Sequence, residues 1–179
     1  MNFEANPWAY ETELEPAAFR RALGRFVTGV TVMTTRAPGG ALAGVTVSSF
    51  NTLSLDPPLI LWSLSLKTPS LAVFRDSGGF AVNILASDQR DIALQFARPG
   101  DKFANVRTQA GLNGTPLLEG AVAHLQCRTQ QRLAGGDHEL VIGRIVSAAV
   151  HERTPLVYAQ GRFGDFCAAS DLAADRESR

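Results

Sequence analysis

Hydroxyl and amide side chains crowd into one stretch of this chain, Thr46-Val-Ser-Ser-Phe-Asn-Thr-Leu-Ser-Leu-Asp-Pro-Pro-Leu59. Thr46, Ser48 and Ser49 fall where the backbone should leave one strand for the next, so side-chain and backbone donors and acceptors stand together. Such a stretch suits a flat ligand with a polar edge. Further on, Lys67-Thr-Pro-Ser-Leu71 reads as a helix start, with Thr68 as N-cap and Pro69 at the first helical position. The N–H groups of Ser70 and Leu71 should be unpaired there, under a partial positive charge. With Lys67 and the hydroxyls of Thr68 and Ser70 this is either an anion cradle or a plain capped helix beside a solvated lysine. Asp101-Lys-Phe103 follows a Pro-Gly break and belongs at a loop tip. Lys102 could face a phosphate there and Phe103 could pack on an aromatic ring system; the alternative is a charged loop with one anchoring phenylalanine. Gly135-Gly-Asp-His138 is a turn whose glycines permit close backbone approach, and His138 either meets a ligand or is simply exposed.

The remaining reactive side chains suggest less. His124 falls on the polar face of its strand and His151 in a charged turn, so both are expected to face solvent. Cys127 lands on a core face as a small hydrophobe, and Cys167 shows no feature that would activate it. Two cysteines and three scattered histidines form neither a disulfide framework nor a metal motif, so no metal is expected. The patterns GxGxxG, GxxxxGK[ST] and GxSxG are all missing, which argues against a Rossmann domain, a P-loop and the common serine hydrolases. Arginine outnumbers lysine fifteen to two, and both lysines, Lys67 and Lys102, fall in the segments singled out above.

The elements that must position these groups follow from periodicity and turn chemistry. The 179 residues suit one domain, taken as residues 16–166 between a flexible lead at 1–15 and a flexible tail at 167–179. Phe19, Leu23 and Phe26 behind Pro16 predict a first helix; Lys67–Phe74 predicts a second, and a third starts at Ser87 or Asp88 and ends before Pro99. Val27–Thr35 and Ala41–Val47 flank a glycine-rich turn, and short strands follow at Leu53–Leu55, Leu59–Leu64 and Phe80–Leu85. From Ala121 to Leu133 the odd positions carry the apolar residues and should face the core, with Glu139–Val150 returning antiparallel and Leu156–Gln160 adding a last strand. The pattern favours a mainly β fold, a small antiparallel barrel with peripheral helices. A net charge of zero gives no electrostatic reason to expect nucleic acid or an anionic membrane as partner. The longest apolar run, Pro58–Leu66, is too short to span a bilayer, and the acidic N-terminus lacks the marks of a signal peptide, so the cytoplasm is expected.

Six segments in order carry a resemblance: Phe26-Val-Thr-Gly-Val-Thr-Val-Met33, Thr46–Phe50, Ser54–Leu59, Phe80-Ala-Val-Asn-Ile84, Asp101–Phe103 and Gly135–His138. Together they resemble the flavin reductase-like family, short-chain NAD(P)H:flavin oxidoreductases that serve as reductase components of two-component monooxygenases, from about Phe19 to Phe166. The resemblance implies a split β-barrel FMN-binding fold, a homodimer with flavin near the subunit interface, FMN or FAD as flavin, and NADH or NADPH as electron donor. It implies hydride transfer to flavin N5, with reduced flavin handed to a partner monooxygenase. It assigns Thr46, Val47, Ser48 and Ser49 to the isoalloxazine and ribityl edge, and Ser63, Leu64, Lys67, Thr68 and Ser70 to the ribityl and phosphate. Asp101, Lys102 and Phe103 correspond to the loop closing over the flavin, and Gly136, Asp137 and His138 to the nicotinamide-side turn, with His138 orienting the nicotinamide. Trp62-Ser-Leu-Ser-Leu-Lys67 departs from the family pattern. Two rival readings stay open: a flavin carrier, store or sensor without reductase activity, which would need no nicotinamide-side turn, and a flavin oxidase acting on its own small substrate.

Overall fold

A computed structural model describes residues 15–168; the predicted lead and most of the predicted tail, residues 1–14 and 169–179, lie outside the described residues. Alternating and β-branched segments form twelve strands in the described chain: β1 Thr28–Gly29, β2 Thr31–Arg36, β3 Leu42–Val47, β4 Asn51–Leu55, β5 Pro58–Ser65, β6 Gly79–Ile84, β7 Thr108–Ala110, β8 Pro116–Leu118, β9 Ala123–Gly135, β10 His138–Val150, β11 Leu156–Ala159 and β12 Arg162–Asp165. Three α-helices join them: α1 Pro16–Leu23, α2 Leu71–Asp76 and α3 Arg90–Ala97. Seven strands make one sheet in the order β3-β2-β6-β9-β10-β5-β4, beside a three-stranded sheet β1-β11-β12 and the β7-β8 pair. Each of these pairings is antiparallel. The expected mainly β architecture with peripheral helices is what forms.

The two edges of the large sheet, β3 and β4, are consecutive in the chain and separated only by residues 48–50. In a flat sheet those edges would stand about 29 Å apart, at about 4.8 Å per strand. The link from Val47 to Asn51 spans at most about 15 Å. The sheet must therefore curl until its edges come within about 15 Å of each other at this link, and β3 and β4 do not pair. One core fills the curl and takes inward side chains from nearly every strand: Met33, Ala43, Ile60, Trp62, Leu64, Phe80, Val82, Cys127 and Val141, with Phe74 of α2. Trp62 meets Phe74 and Phe80 edge-on, at ring separations of 5.2 and 5.5 Å. Each such pair contributes about 1 kcal/mol beyond its buried area.

A second core lies outside the curl, where α3 and β8 pack over β2 through Val30, Val32, Leu85, Ala93, Phe96, Leu118 and Leu156. Strand β2 is thus buried on both faces, and its threonines are buried with satisfied hydroxyls. Thr31, Thr34 and Thr35 donate to the carbonyls of Val47, Pro116 and Gly79 at 3.1, 2.5 and 2.6 Å. Asn83, fully buried, donates to the Val32 carbonyl and to Thr34 Oγ1 and accepts from the Leu118 amide, tying β6 to β2 and β8. The outer core comes so close at Gly44 that an added Cβ would clash with the Phe96 ring.

Three local expectations change. Helix α2 begins at Leu71, and the Leu71 amide donates to the Thr68 carbonyl at 3.2 Å. Thr68 is therefore not its N-cap and Pro69 not its first residue, because residues 65–70 close a turn before helical geometry sets in. On β9 the inward alternation holds at Ala123 and Cys127 but reverses beyond Gln130, leaving Leu133 42% exposed. The cause is a bulge: Ile142 pairs with Gln131 and Gly143 with Thr129, so Gln130 is an extra residue and everything after it changes face. His124 is half-buried, with its Nε2 2.8 Å from the Leu118 carbonyl and its ring 5.5 Å from that of His151, which is exposed as expected. The apolar side of α1 is exposed, with Phe19, Leu23, Phe26 and Val27 between 48% and 75% accessible.

Gly44→Ala is expected to cost about 1–3 kcal/mol of stability through overpacking against Phe96. Gly39→Ala, where nothing lies within 4 Å of the added carbon, should change stability by less than about 0.5 kcal/mol. Urea unfolding midpoints of the two variants check this.

Candidate functional site

Two of the segments nominated from sequence meet in one groove of about 460 Å³. Thr68, Pro69 and Ser70 form one wall, just ahead of α2, and Arg98 to Phe103, the loop after α3, form the other, with Gly44 and Val45 of β3 as floor. Proline and glycine at 99 and 100 end α3 and let the loop double back. Phe103 packs edge-on against Phe96, at 5.2 Å and 88°. Asp101 Oδ1 accepts from the Phe103 amide at 3.0 Å and holds the loop tip as an Asx turn. The Lys102 ammonium donates to the carbonyls of Phe96, at 3.1 Å, Arg98 and Gln95, capping the C-terminus of α3 instead of reaching across the groove. Partial burial lowers its pKa. Of the two amides expected to be free for an anion, that of Leu71 is taken by Thr68. Lys67 is exposed at the mouth of the same segment.

The hydroxyl-rich run opens on a neighbouring groove of about 320 Å³, where Thr46, Val47 and Ser48 face Ala93, Leu94, Tyr158 and Phe163. Ala97 borders both grooves, so they follow each other along α3. Thr46 donates to the Ala93 carbonyl at 2.7 Å and fastens β3 to α3. Ser49 Oγ accepts from the Ser63 amide at 3.0 Å and lies 3.3 Å from the Ser63 carbonyl, so these two site candidates form the seam between the β3–β4 link and β5. Ser48 keeps an exposed side chain. Leu64 is only 1% exposed and belongs to the inner core, so its side chain cannot line a groove.

The Gly135–His138 turn joins β9 to β10 at the end of β5. Gly136 has φ of 69°, which a side chain would strain. The Leu66 amide donates to the Asp137 carbonyl at 3.0 Å and docks the turn beside Lys67. His138 Nδ1 lies 2.6 Å from Asp137 Oδ1. That hydrogen bond and the imidazole charge, with Lys67 adding to them, lower the pKa of Asp137. Together with Leu66, Arg75, Arg132 and Glu139, Gly136 and His138 border a third groove of about 230 Å³. The sequence-predicted residues are therefore spread over three depressions, two of them sharing Ala97, while Ser49, Ser63, Leu64, Lys67 and Asp137 line none of the three.

Sequence reasoning missed the ion cluster under the third groove. Glu139, 8% exposed, accepts from Arg75 Nε and Nη2 at 3.0 and 2.9 Å and from Arg132 Nη1 at 3.0 Å. A signal was present: Glu139 occupies the same strand face as Val141 and Gly143, an inward position that alternation reserves for apolar residues. Cys127 is buried as expected, and burial pushes its thiol up to about 12, which leaves it unreactive.

These observations define a mainly β protein whose antiparallel sheet curls around one core, with three grooves at its surface. Residues 23–166 match the family model described as flavin reductase like domain, and the chain belongs to that family. It is 38% identical over 149 residues to the FMN reductase (NADH) SmoA of Agrobacterium fabrum, covering 83% of this chain and 85% of that protein. It is 40% identical over 154 residues to the reductase component of 4-nitrophenol 4-monooxygenase/4-nitrocatechol 2-monooxygenase from Rhodococcus opacus, covering 86% and 82%. Among solved structures it superposes with TM-score 0.81 and 34% identity on the NADH:FAD oxidoreductase SgcE6 of Streptomyces globisporus, in complex with NAD and FAD fragments, covering 87% of this chain and 94% of that one. No helix among the described residues is long and apolar enough to cross a membrane.

Burial alone would raise the Glu139 carboxyl, but the hydrogen bonds and charges of Arg75 and Arg132 outweigh it and hold the group below its ordinary value. The unfolded chain then takes up this proton more readily than the folded one. The contribution is complete above the unfolded carboxyl's pKa of about 4.3 and is lost as pH falls through the folded value. Thermal midpoints of the wild type and of Glu139→Gln should therefore differ most near neutral pH and converge as pH falls through the lowered folded value.

Proposed function

We propose that this protein reduces flavin with NADH and passes the reduced flavin to a separate monooxygenase component. The observation that carries the reading is the groove in which Thr68–Ser70 and the Arg98–Phe103 loop meet, in a chain whose relatives are NADH-dependent flavin reductases and monooxygenase reductase components. A volume of about 460 Å³ falls within the range of small-molecule sites. Flavin, when bound, supplies the chemistry by accepting a hydride from the nicotinamide.

The residues divide the work by what they have left to offer. Thr68, Ser70 and Lys67 hold the ribityl and phosphate end, with hydroxyls and a cation that the fold does not consume. Thr46, Val47, Ser48 and Ser49 form the polar edge for the isoalloxazine and ribityl, through backbone groups and the exposed Ser48 hydroxyl; Ser63 and Leu64 face the ribityl and phosphate end, Leu64 through its backbone only. Asp101, Lys102 and Phe103 act as one unit, in which aspartate and lysine fix the loop so that the phenylalanine presents its ring. Gly136, Asp137 and His138 receive the nicotinamide, with Asp137 orienting the imidazole.

The curl imposed by the short β3–β4 link supports a split barrel, and residues 16–166 make up the working domain. The exposed apolar side of α1 and Phe26–Val27 supports a homodimer. We place the protein in the cytoplasm, where NADH and an oxygenase partner are both at hand.

The test follows NADH consumption by nicotinamide absorbance with FMN, FAD or riboflavin added in turn. Flavin-dependent oxidation is expected. Its absence with all three overturns the reading, and retention of bound flavin in that case leaves a flavin-binding module. His138→Ala should raise KM for NADH about tenfold with kcat within about threefold. A collapse of the reduction rate with a shifted pH profile would assign His138 to proton transfer instead.

A further inference from the structure

The Arg75–Glu139–Arg132 cluster joins three elements at one carboxylate. Arg75 comes from α2, Arg132 from β9 and Glu139 from β10, one residue after His138. Both carboxylate oxygens are used: Oε2 takes two bonds from Arg75 and Oε1 takes one from Arg132, whose Nη2 also donates to the Phe74 carbonyl in α2. Arg132 faces inward only because of the Gln130 bulge; in regular alternation it would point to the surface, as Arg128 does.

Stability alone is a poor account of this arrangement. Apolar side chains of similar volume hold elements together at least as well as a buried ion cluster. What the cluster adds is direction: charge-assisted bonds at fixed angles, which set how α2 lies against the start of β10. Those are the two places the function depends on. Helix α2 follows directly on Thr68–Ser70, and β10 opens with His138, whose backbone pairs with Ser65 and Gly135. The same arginines border the groove that holds His138.

We propose that Glu139 is a positioning residue which, through Arg75 and Arg132, locks the Gly135–His138 turn to α2 and so sets the spacing between the nicotinamide-side and flavin-side segments. This rests on the function proposed above. Arg75 is the arm that can be cut cleanly, since its side chain is 50% exposed and its loss leaves the Glu139–Arg132 pair in place.

The experiment measures steady-state NADH:flavin kinetics for the wild type, Arg75→Met, Arg75→Lys, His138→Ala and the Arg75→Met/His138→Ala double variant, each checked as folded by near-UV circular dichroism. Arg75→Met should raise KM for NADH about tenfold with kcat within about threefold, since a displaced turn weakens binding more than chemistry. Arg75→Lys should recover part of the loss, because one ammonium replaces a bidentate guanidinium incompletely. In the double variant the two losses in kcat/KM should be less than multiplicative, because both act through one imidazole. A folded Arg75→Met with KM within about twofold of wild type, or losses that simply multiply, overturns the proposal. If Arg75→Met does not fold, Glu139→Gln takes its place under the same criteria. A wild type that oxidises NADH with unaffected variants defeats only this inference; a wild type inactive with every flavin defeats the function and this inference with it.

Discussion

The short link between β3 and β4 constrains the rest of the molecule. Two strands at opposite edges of a seven-stranded sheet are joined by residues 48–50, so the sheet has to curl. From the curl follows a single inner core that gathers Met33, Ile60, Trp62, Phe80 and Val141 from strands far apart in a flat sheet. It also puts the polar run Thr46–Ser49 at the seam, where edge backbone is not consumed by a neighbouring strand. The Ser49–Ser63 bonds at 3.0 and 3.3 Å tie the β3–β4 link to β5 there. A ligand edge laid along this seam meets backbone groups already held at fixed positions, which reduces the ordering cost of binding.

The second constraint is a count of one residue. Without Gln130, β9 would keep the alternation set at Ala123 and Cys127, so Leu133 would face inward and Arg132 outward. Glu139 would then be a buried carboxylate with one partner in place of two. The bulge is what brings the second guanidinium to that carboxylate, beside the Arg75 pair that would remain without it. Their coincidence beside the Gly135–His138 turn connects a backbone irregularity to the proposed nicotinamide side of the site.

What could be read from the sequence followed the strength of local patterns. The hairpin at residues 37–40, the strands on either side of Pro57–Pro58 and the third helix with Ile92 and Phe96 all rest on periodicity or turn chemistry, and all are present. The start of α2 was misjudged because Thr68-Pro69 satisfies capping statistics while the turn closing onto Ser65 competes for the same residues. The bulge at Gln130 leaves no mark in composition, since Thr-Gln-Gln-Arg fits a polar strand in either register; only the pairing partner on β10 reveals it. Family resemblance ties Leu64 to the flavin, whereas alternation with Ile60 and Trp62 points its side chain at the core. The grouping of segments into grooves is likewise a long-range property, since residues 68–70 and 98–103 border one groove together with residues of β3.

Residue type alone could not separate side chains that hold the site together from those left open to a ligand. Thr46, Ser49, Asp101 and Lys102 were nominated for their polar groups, yet each spends a polar group on the protein: on the Ala93 carbonyl, the Ser63 backbone, the Phe103 amide and the end of α3. Ser48, Lys67, Thr68 and Ser70 make no side-chain hydrogen bond within the described residues. The two sets interleave along the chain, and the committed members anchor the segments that carry the open ones. Segments anchored in this way hold their open groups at fixed positions, which suits the proposed task of keeping flavin and nicotinamide in register while the cofactors themselves carry the reaction.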